Sequence, residues 1–160
     1  MQARWLEVEQ FLLHSESFMN RTLWKMPVPA TGLIRGSNFK ELPGRKCEIA
    51  FSIEAEDGSE KWLTLLFDGV EVYKCTYLTS LSSVPQDLRT EAYGRVVTVK
   101  NSDWLDKVNE CYQNYHSRRT TKPMELQHLT ICFDDGPCYE FICTNFKPSF
   151  EASGITAGTK

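Results

Sequence analysis

The chain has 160 residues, of which 41% are hydrophobic and 24% are charged, and its formal net charge at pH 7 is −3. This length and composition exclude an intrinsically disordered chain and indicate one globular domain that buries about two thirds of its unfolded surface. The mild negative charge argues against nucleic-acid binding as the main function.

The N-terminal sequence and the cysteines indicate a cytoplasmic protein. MQARWLEVEQ has no basic segment followed by an apolar run, so no signal peptide is expected. No apolar stretch approaches the roughly 18 residues that are needed to cross a bilayer, and membrane association is not expected. The six cysteines are therefore interpreted as reduced thiols.

The first predicted element is an amphipathic helix at residues 4–21, whose apolar residues mostly recur on one helical face. Residues 26–45 contain three prolines and three glycines. Because such residues interrupt regular elements, this segment is interpreted as a long connection with a short strand around Leu33. Residues 46–55 alternate between apolar and polar, which predicts a half-buried strand that turns at 56–59 into the next one.

Residues 61–78 are predicted to form a β-hairpin, because the strand-forming runs KWLTLLF and VEVYKCTYL flank Asp68 and Gly69. This dipeptide favours the positive φ angles that a two-residue type I′ turn requires. With that turn, Leu65 pairs with Val72 across an apolar face, while the opposite face is mixed.

A second hairpin is predicted where LTICF at 129–133 and CYEFICT at 138–144 flank a loop at 134–137. In this register His128 pairs with Cys143, and the pairs have counterparts in the first hairpin. Two interpretations stay open: a duplicated hairpin unit, and coincidence among the few residue types that strands favour.

Between the hairpins the sequence predicts a strand at 92–100 and then the clearest helix of the chain. Ser102 and Asp103 suit a helix N-terminus, and the apolar residues that follow have helical spacing up to Tyr115. This helix is expected to pack on the sheet. The last residues, 151–160, are small and polar, which predicts a disordered tail.

Together these elements predict a single α+β domain over residues 1–150. One antiparallel sheet of five to seven strands is expected, with one or two helices packed on one face. A domain of this size needs neither a disulfide nor a metal ion to stabilise its core.

The first candidate site is a cysteine–histidine dyad. The predicted register places His128 opposite Cys143, where an imidazole can activate a thiolate. No cysteine-hydrolase signature surrounds Cys143. The alternative is packing of a flat ring on a small sulfur, which the predicted pair of Trp62 and Cys75 in the first hairpin favours.

Two further groups of side chains are candidates for binding. Arg118 and Arg119 follow the clear helix; they can hold a phosphate or an RNA backbone, or simply complement the negative end of the helix dipole. Tyr73, Tyr77 and Tyr139 are predicted on the mixed face of the hairpins, where they can form a partner-binding surface.

Acidic residues gather at the predicted turns, among them Asp57, Asp68 and Asp134. A calcium or magnesium site would require several oxygens to converge from these loops. Aspartate before glycine is also common in turns for backbone reasons, and this is the favoured interpretation. We therefore predict no metal site and no cofactor.

The leading functional hypothesis is a small cytoplasmic, non-enzymatic binding module whose partner is another protein, as in an adaptor, an inhibitor or an immunity protein. It rests on the aromatic content of 12% and on the lack of the common nucleotide-binding, hydrolase and zinc-protease motifs. Nucleic acid and membranes are not expected partners. The alternative is an enzyme or small-ligand binder with a pocket between helix and sheet, lined by His128 and Cys143 or by the 26–45 segment.

Overall fold

The structure, a computed structural model, describes residues 20–29, 31–134 and 136–151. The strands in these ranges are β1 (Arg21–Lys25), β2 (Leu33–Leu42), β3 (Lys46–Glu54), β4 (Glu60–Asp68), β5 (Val72–Thr76), β6 (Arg95–Thr98), β7 (Gln127–Cys132), β8 (Cys138–Cys143) and β9 (Asn145–Glu151). The helices are α1 (Gln86–Ala92) and α2 (Asp103–His116), and a 3₁₀ helix spans Leu78–Ser83. No helix in the described ranges is long and apolar enough to cross a membrane.

The strands form two antiparallel sheets instead of the single predicted sheet. One has five strands in the order β1-β6-β7-β8-β5, and the other has four in the order β2-β3-β4-β9. The prediction of a small single-domain α+β fold with antiparallel pairing is confirmed. The single sheet is wrong, because the chain passes from one sheet to the other between β4 and β5.

The main core lies between the two sheets. On β3 the predicted apolar face is confirmed, since its alternate residues Cys47, Ile49, Phe51 and Ile53 are all buried. Strands β7 and β8 supply the facing layer. The rings of Phe67 on β4 and Phe141 on β8 stack with their centroids 3.9 Å apart, so the two sheets are in direct contact.

Helix α1 covers part of the outer face of the five-stranded sheet. Its buried residues Leu88 and Ala92 pack on Val97 and on the disulfide between Cys132 and Cys138. The prediction of six reduced thiols is therefore wrong for this pair. The sequence does not predict this helix, because residues 80–92 are mostly polar.

Helix α2 confirms the clearest helix prediction. Ser102 is its N-cap, and the Ser102 hydroxyl accepts a hydrogen bond from the N–H of Leu105 at 3.0 Å. Tyr112 is buried against Leu126 and Ile142 on the outer face of the five-stranded sheet. The buried apolar stripe is shorter than predicted, because Tyr115 at its end is exposed and lines a groove.

The first predicted hairpin is wrong. Strand β4 pairs with β3 on one side and β9 on the other, so no edge is left for β5. Gly69 does have the predicted positive φ, +61°, but it lies in the connection that leads from β4 in one sheet to β5 in the other. Strand β9 was missed because Pro148 argues against a central strand; at a sheet edge it is tolerated.

The second hairpin is confirmed, with its register shifted by one residue. The N–H of Phe133 donates to the carbonyl of Pro137, which continues the register that pairs Cys132 with Cys138 and closes the turn with one residue fewer than predicted. His128 consequently pairs with Ile142. Because the first hairpin is absent, the matching pairs that motivated the duplication hypothesis do not exist.

The predicted connection at 26–45 contains a ten-residue strand, β2, which pairs with β3 through two register shifts. These irregularities allow a glycine-containing segment to join the sheet. The predicted strand at 92–100 is β6, which is shorter. Most of the helix predicted at 4–21 and most of the tail predicted at 151–160 lie outside the described residues. Both predictions are wrong at the one end that is described, because Arg21 begins β1 and Glu151 ends β9.

Candidate functional site

Strand β5 is the last strand of its sheet, and hydrogen bonds near β7 and β8 reveal which of its backbone groups face the edge. The N–H of Phe133 donates to the carbonyl of Pro137 at 3.4 Å, and the carbonyl of Cys132 accepts from the N–H of Gly94 at 2.9 Å. Hydrogen-bonded and non-hydrogen-bonded pairs alternate along antiparallel strands. Cys132 and Cys138 therefore form a non-hydrogen-bonded pair, and Cys138 directs its backbone toward β5.

The same alternation continues along β5. Thr76 is paired with Cys138, so Thr76 and the alternate residues 72 and 74 direct their N–H and C=O groups to β8. Tyr73 and Cys75 direct theirs to the open edge. Within the described ranges no residue hydrogen-bonds to these two outward-facing backbone units.

A groove of about 610 Å³ lies beside this edge, between β5 and α2. We call it the α2 groove. Val72, Val108 and Tyr112 form its apolar floor. The other lining residues are Arg45, which forms an ion pair with Glu71, together with Lys107, Cys111, Tyr115 and His116.

A second recess, of about 430 Å³, lies on the other side of β5, next to the β2–β3 end of the four-stranded sheet. We call it the intersheet recess. Tyr73 lines it, donating its hydroxyl proton to Glu41 and packing its ring on Phe39 with centroids 4.9 Å apart. Since successive side chains of a strand point to opposite faces, a strand added to β5 would fill the groove and the recess alternately.

The other sheet edges are less suited to strand addition. Strands β1 and β2 contain register shifts, and β9 carries Lys147 and Pro148, residue types that protect edges. Strand β5 pairs with β8 in an unbroken register. Its own lysine, Lys74, has its ammonium 3.7 Å from the ring centroid of Trp104, which holds it over α2.

Of the three tyrosines that were predicted to bind a partner, the structure brings Tyr73 and Tyr139 together, since both rings pack on Phe39. Tyr73 lies on β5, and Tyr77 follows β5 with 66% of its surface exposed. Tyr139 is buried between the sheets, where its ring stacks on Phe39 at 5.5 Å and its hydroxyl lies 3.3 Å from Ser37 Oγ. The one-residue register error placed Tyr139 on the wrong face.

The two predicted binding arginines lie just beyond α2, and both are exposed. The guanidinium of Arg119 is 4.4 Å from the ring centroid of Tyr115, which lines the α2 groove. Arg118 is not among the lining residues of the groove. Only Arg119 is thus connected to the groove, through a cation–π contact.

The structure does not bring His128 and Cys143 together. His128 is paired with Ile142 and Cys143 with Gln127, so the two side chains lie on opposite faces of the sheet. Burial raises the pKa of the Cys143 thiol to about 12, which keeps the thiol protonated at neutral pH. The predicted pairing is wrong by one residue, and no dyad can form with this geometry.

His128 instead belongs to a buried network at the start of α2. Its Nδ1 lies 2.7 Å from Ser102 Oγ, and its Nε2 lies 3.3 Å from Glu140 Oε1. Since the Ser102 hydroxyl already accepts from Leu105, we assign its proton to the bond with Nδ1. The Nε2 proton then points to the Glu140 carboxylate.

This serine–histidine–carboxylate order resembles a hydrolytic triad, but the residues are shielded. Ser102 and His128 are only 9% and 5% exposed. Trp104 packs edge-on against the imidazole with centroids 5.1 Å apart. We interpret the network as a structural link that fixes the start of α2 on β7 and β8. No local sequence pattern indicates this network, because Ser102 and His128 are 26 positions apart.

The network predicts a pH-dependent stability. The hydrogen bond from His128 lowers the pKa of Glu140 below its ordinary value of 4.5. Such a carboxyl stabilises the fold above its ordinary pKa, and this contribution is lost as the pH falls through the folded pKa. Glu140→Gln should therefore cost about 1–2 kcal/mol at neutral pH and much less near pH 3, as measured by urea unfolding. An equal cost at both pH values would contradict the assignment.

The acidic turns have local roles. Asp57 accepts hydrogen bonds from the N–H and the hydroxyl of Ser59 at 3.0 and 2.6 Å, and Asp68 accepts one from the N–H of Gly69 at 2.8 Å. In the described part of the chain, no three side chains of histidine, cysteine, aspartate or glutamate gather as they would around a metal ion. These carboxylates shape the backbone of their turns.

Comparison with known proteins finds no matching family model, no matching curated protein and no matching solved structure. Function is therefore inferred from geometry. The strongest feature is the open edge of β5, which has two outward-facing backbone units and a concave surface on each side.

Proposed function

We propose that this chain is a non-enzymatic binding module that takes an extended segment of another protein as an additional strand on β5. The observation that carries the proposal is the pair of outward-facing backbone units of Tyr73 and Cys75, which have no partner among the described residues. An added strand would satisfy these N–H and C=O groups. In this mode main-chain hydrogen bonds supply affinity, and pockets for alternate side chains supply specificity.

The two concave surfaces support the same mode. The α2 groove and the intersheet recess both reach the start of β5, one on each face of the strand. A bound segment would bury alternate side chains on both faces. Tyr77 continues the edge with an exposed aromatic ring, which offers further contact area.

Cys75→Pro tests the proposal at the backbone. Proline removes the outward N–H at position 75, while the alternate residues 72, 74 and 76 keep their hydrogen bonds to β8. The probe is a phage-displayed library of short linear peptides. We expect peptides selected on the wild type to lose about tenfold in affinity for the proline variant, because a main-chain hydrogen bond is lost.

Cys75→Ala is the matched control, since it removes the thiol and keeps the N–H. It should bind the selected peptides within about threefold of the wild type. Backbone amide shifts on binding should centre on β5, and the dispersed amide spectrum of Cys75→Pro should show that it folds. Equal binding to the wild type and the proline variant would overturn the proposal, and so would a selection that yields no binding peptide.

The α2 groove also supports the alternative of a small-ligand binder with a pocket between helix and sheet. A ligand confined to the groove would contact Val108 and Tyr112 and leave the outward units of β5 unpaired. It would then bind Cys75→Pro as well as it binds the wild type. Amide shifts restricted to α2 would favour this alternative.

A further inference from the structure

The α2 groove contains a cation that forms no ion pair with a described residue. Lys107 on α2 lines the groove and makes no ion pair within the described ranges. Arg45 also lines the groove and forms an ion pair with Glu71, which is the only carboxylate among the described residues that line it. Asp103 and Glu110 lie one turn from Lys107 along α2, yet neither is paired with it.

The surroundings of Lys107 define the chemistry that fits the groove. Val72, Val108 and Tyr112 provide an apolar floor, and the exposed Lys107 lines the same groove. An apolar side chain would be stabilised by burial on this floor, and a carboxylate would be stabilised next to the ammonium. In a strand, side chains on the same face are two positions and about 7 Å apart.

We infer that the segment bound along β5 carries an apolar residue and, two positions away, an aspartate or glutamate. The apolar side chain occupies the floor of the α2 groove, and the carboxylate pairs with Lys107. This partner chemistry rests on the proposed strand addition to β5. Arg119, held over Tyr115 at the groove, adds positive charge of the same sign.

The test repeats the selection of short linear peptides from the phage-displayed library on three proteins: the wild type, Lys107→Glu and Lys40→Glu. Lys107 is exposed on α2 and Lys40 is exposed on β2, so both charge reversals should fold. We expect acidic residues two positions from an apolar residue to be enriched on the wild type and on Lys40→Glu. On Lys107→Glu the enriched charge should switch to lysine or arginine, and an acidic peptide selected on the wild type should bind about tenfold more weakly.

The possible failures are distinguishable. Selected peptides that depend on the N–H at position 75 but show no charge preference, or that stay acidic on Lys107→Glu, would overturn this inference and leave strand addition standing. An equal loss of binding in Lys40→Glu would also overturn it, because the effect would then come from net charge. Peptides that ignore Cys75→Pro would overturn the strand addition itself.

Discussion

Phe67→Ala is expected to lower the free energy of unfolding by about 3–5 kcal/mol, the range found when a buried aromatic ring is truncated in a core. Phe67 lies on β4, is fully buried, and stacks on Phe141 of the opposite sheet at 3.9 Å. This stack joins the two sheets directly. Urea unfolding followed by circular dichroism measures the loss.

The control for this prediction is Leu66→Ala. Leu66 is the neighbour of Phe67 on β4, points to the other face of the sheet and is only half-buried. Its truncation should cost about 1 kcal/mol. Similar losses for the two variants would mean that the face of β4 carrying Phe67 is not the buried one, which would contradict the packing of the two sheets.

Gly69→Ala is expected to destabilise the fold by roughly 2–4 kcal/mol, because left-handed strain and overpacking act together. Gly69 has φ +61°, and a methyl group there would overlap Oγ1 of Thr144 and lie 3.1 Å from its Cβ. Thr144 is held in place by donating its N–H and its hydroxyl proton to the carbonyl of Asp68. The passage from β4 to β5 therefore leaves no room for a side chain.

Two comparisons separate the components of this cost. Gly44→Ala, at φ +81° with no atom within 4 Å of the new methyl group, should show the left-handed strain alone, about 1 kcal/mol. In a Thr144→Gly background the cost of Gly69→Ala should fall to about the same value. Thermal or urea unfolding measures both. An unchanged cost in that background would show that Thr144 does not lie against Gly69.

Elements with strong local signals could be predicted from the sequence. The strict alternation of residues 46–54 gave β3, and the capping residue Ser102 gave the start of α2. The Asp68-Gly69 signal was correct about the backbone angle of Gly69 and misleading about pairing. A positive φ fits a hairpin turn and a connection between sheets equally well. Which of the two forms depends on β9, which pairs with β4 from almost 80 positions later in the chain. The sequence does not indicate β9 as a strand, because it contains Pro148.

The candidate site was only partly accessible from the sequence. The aromatic content drew attention to Tyr73 and Tyr77, which in the structure lie on or next to the open strand. That β5 is an edge follows from the order of all five strands in its sheet, which no local pattern encodes. The groove likewise needs Lys107 and Val72 from elements far apart in the chain.

Both the fold and the proposed binding mode require that β4 and β5 lie in different sheets. Interstrand backbone NOEs in the uniformly labelled protein test this most directly. We predict NOEs between β4 and β9, for example between Leu66 and Lys147, and between β5 and β8, for example between Lys74 and Glu140. NOEs between Leu65 and Val72 would pair β5 with β4, close the open edge and contradict the account.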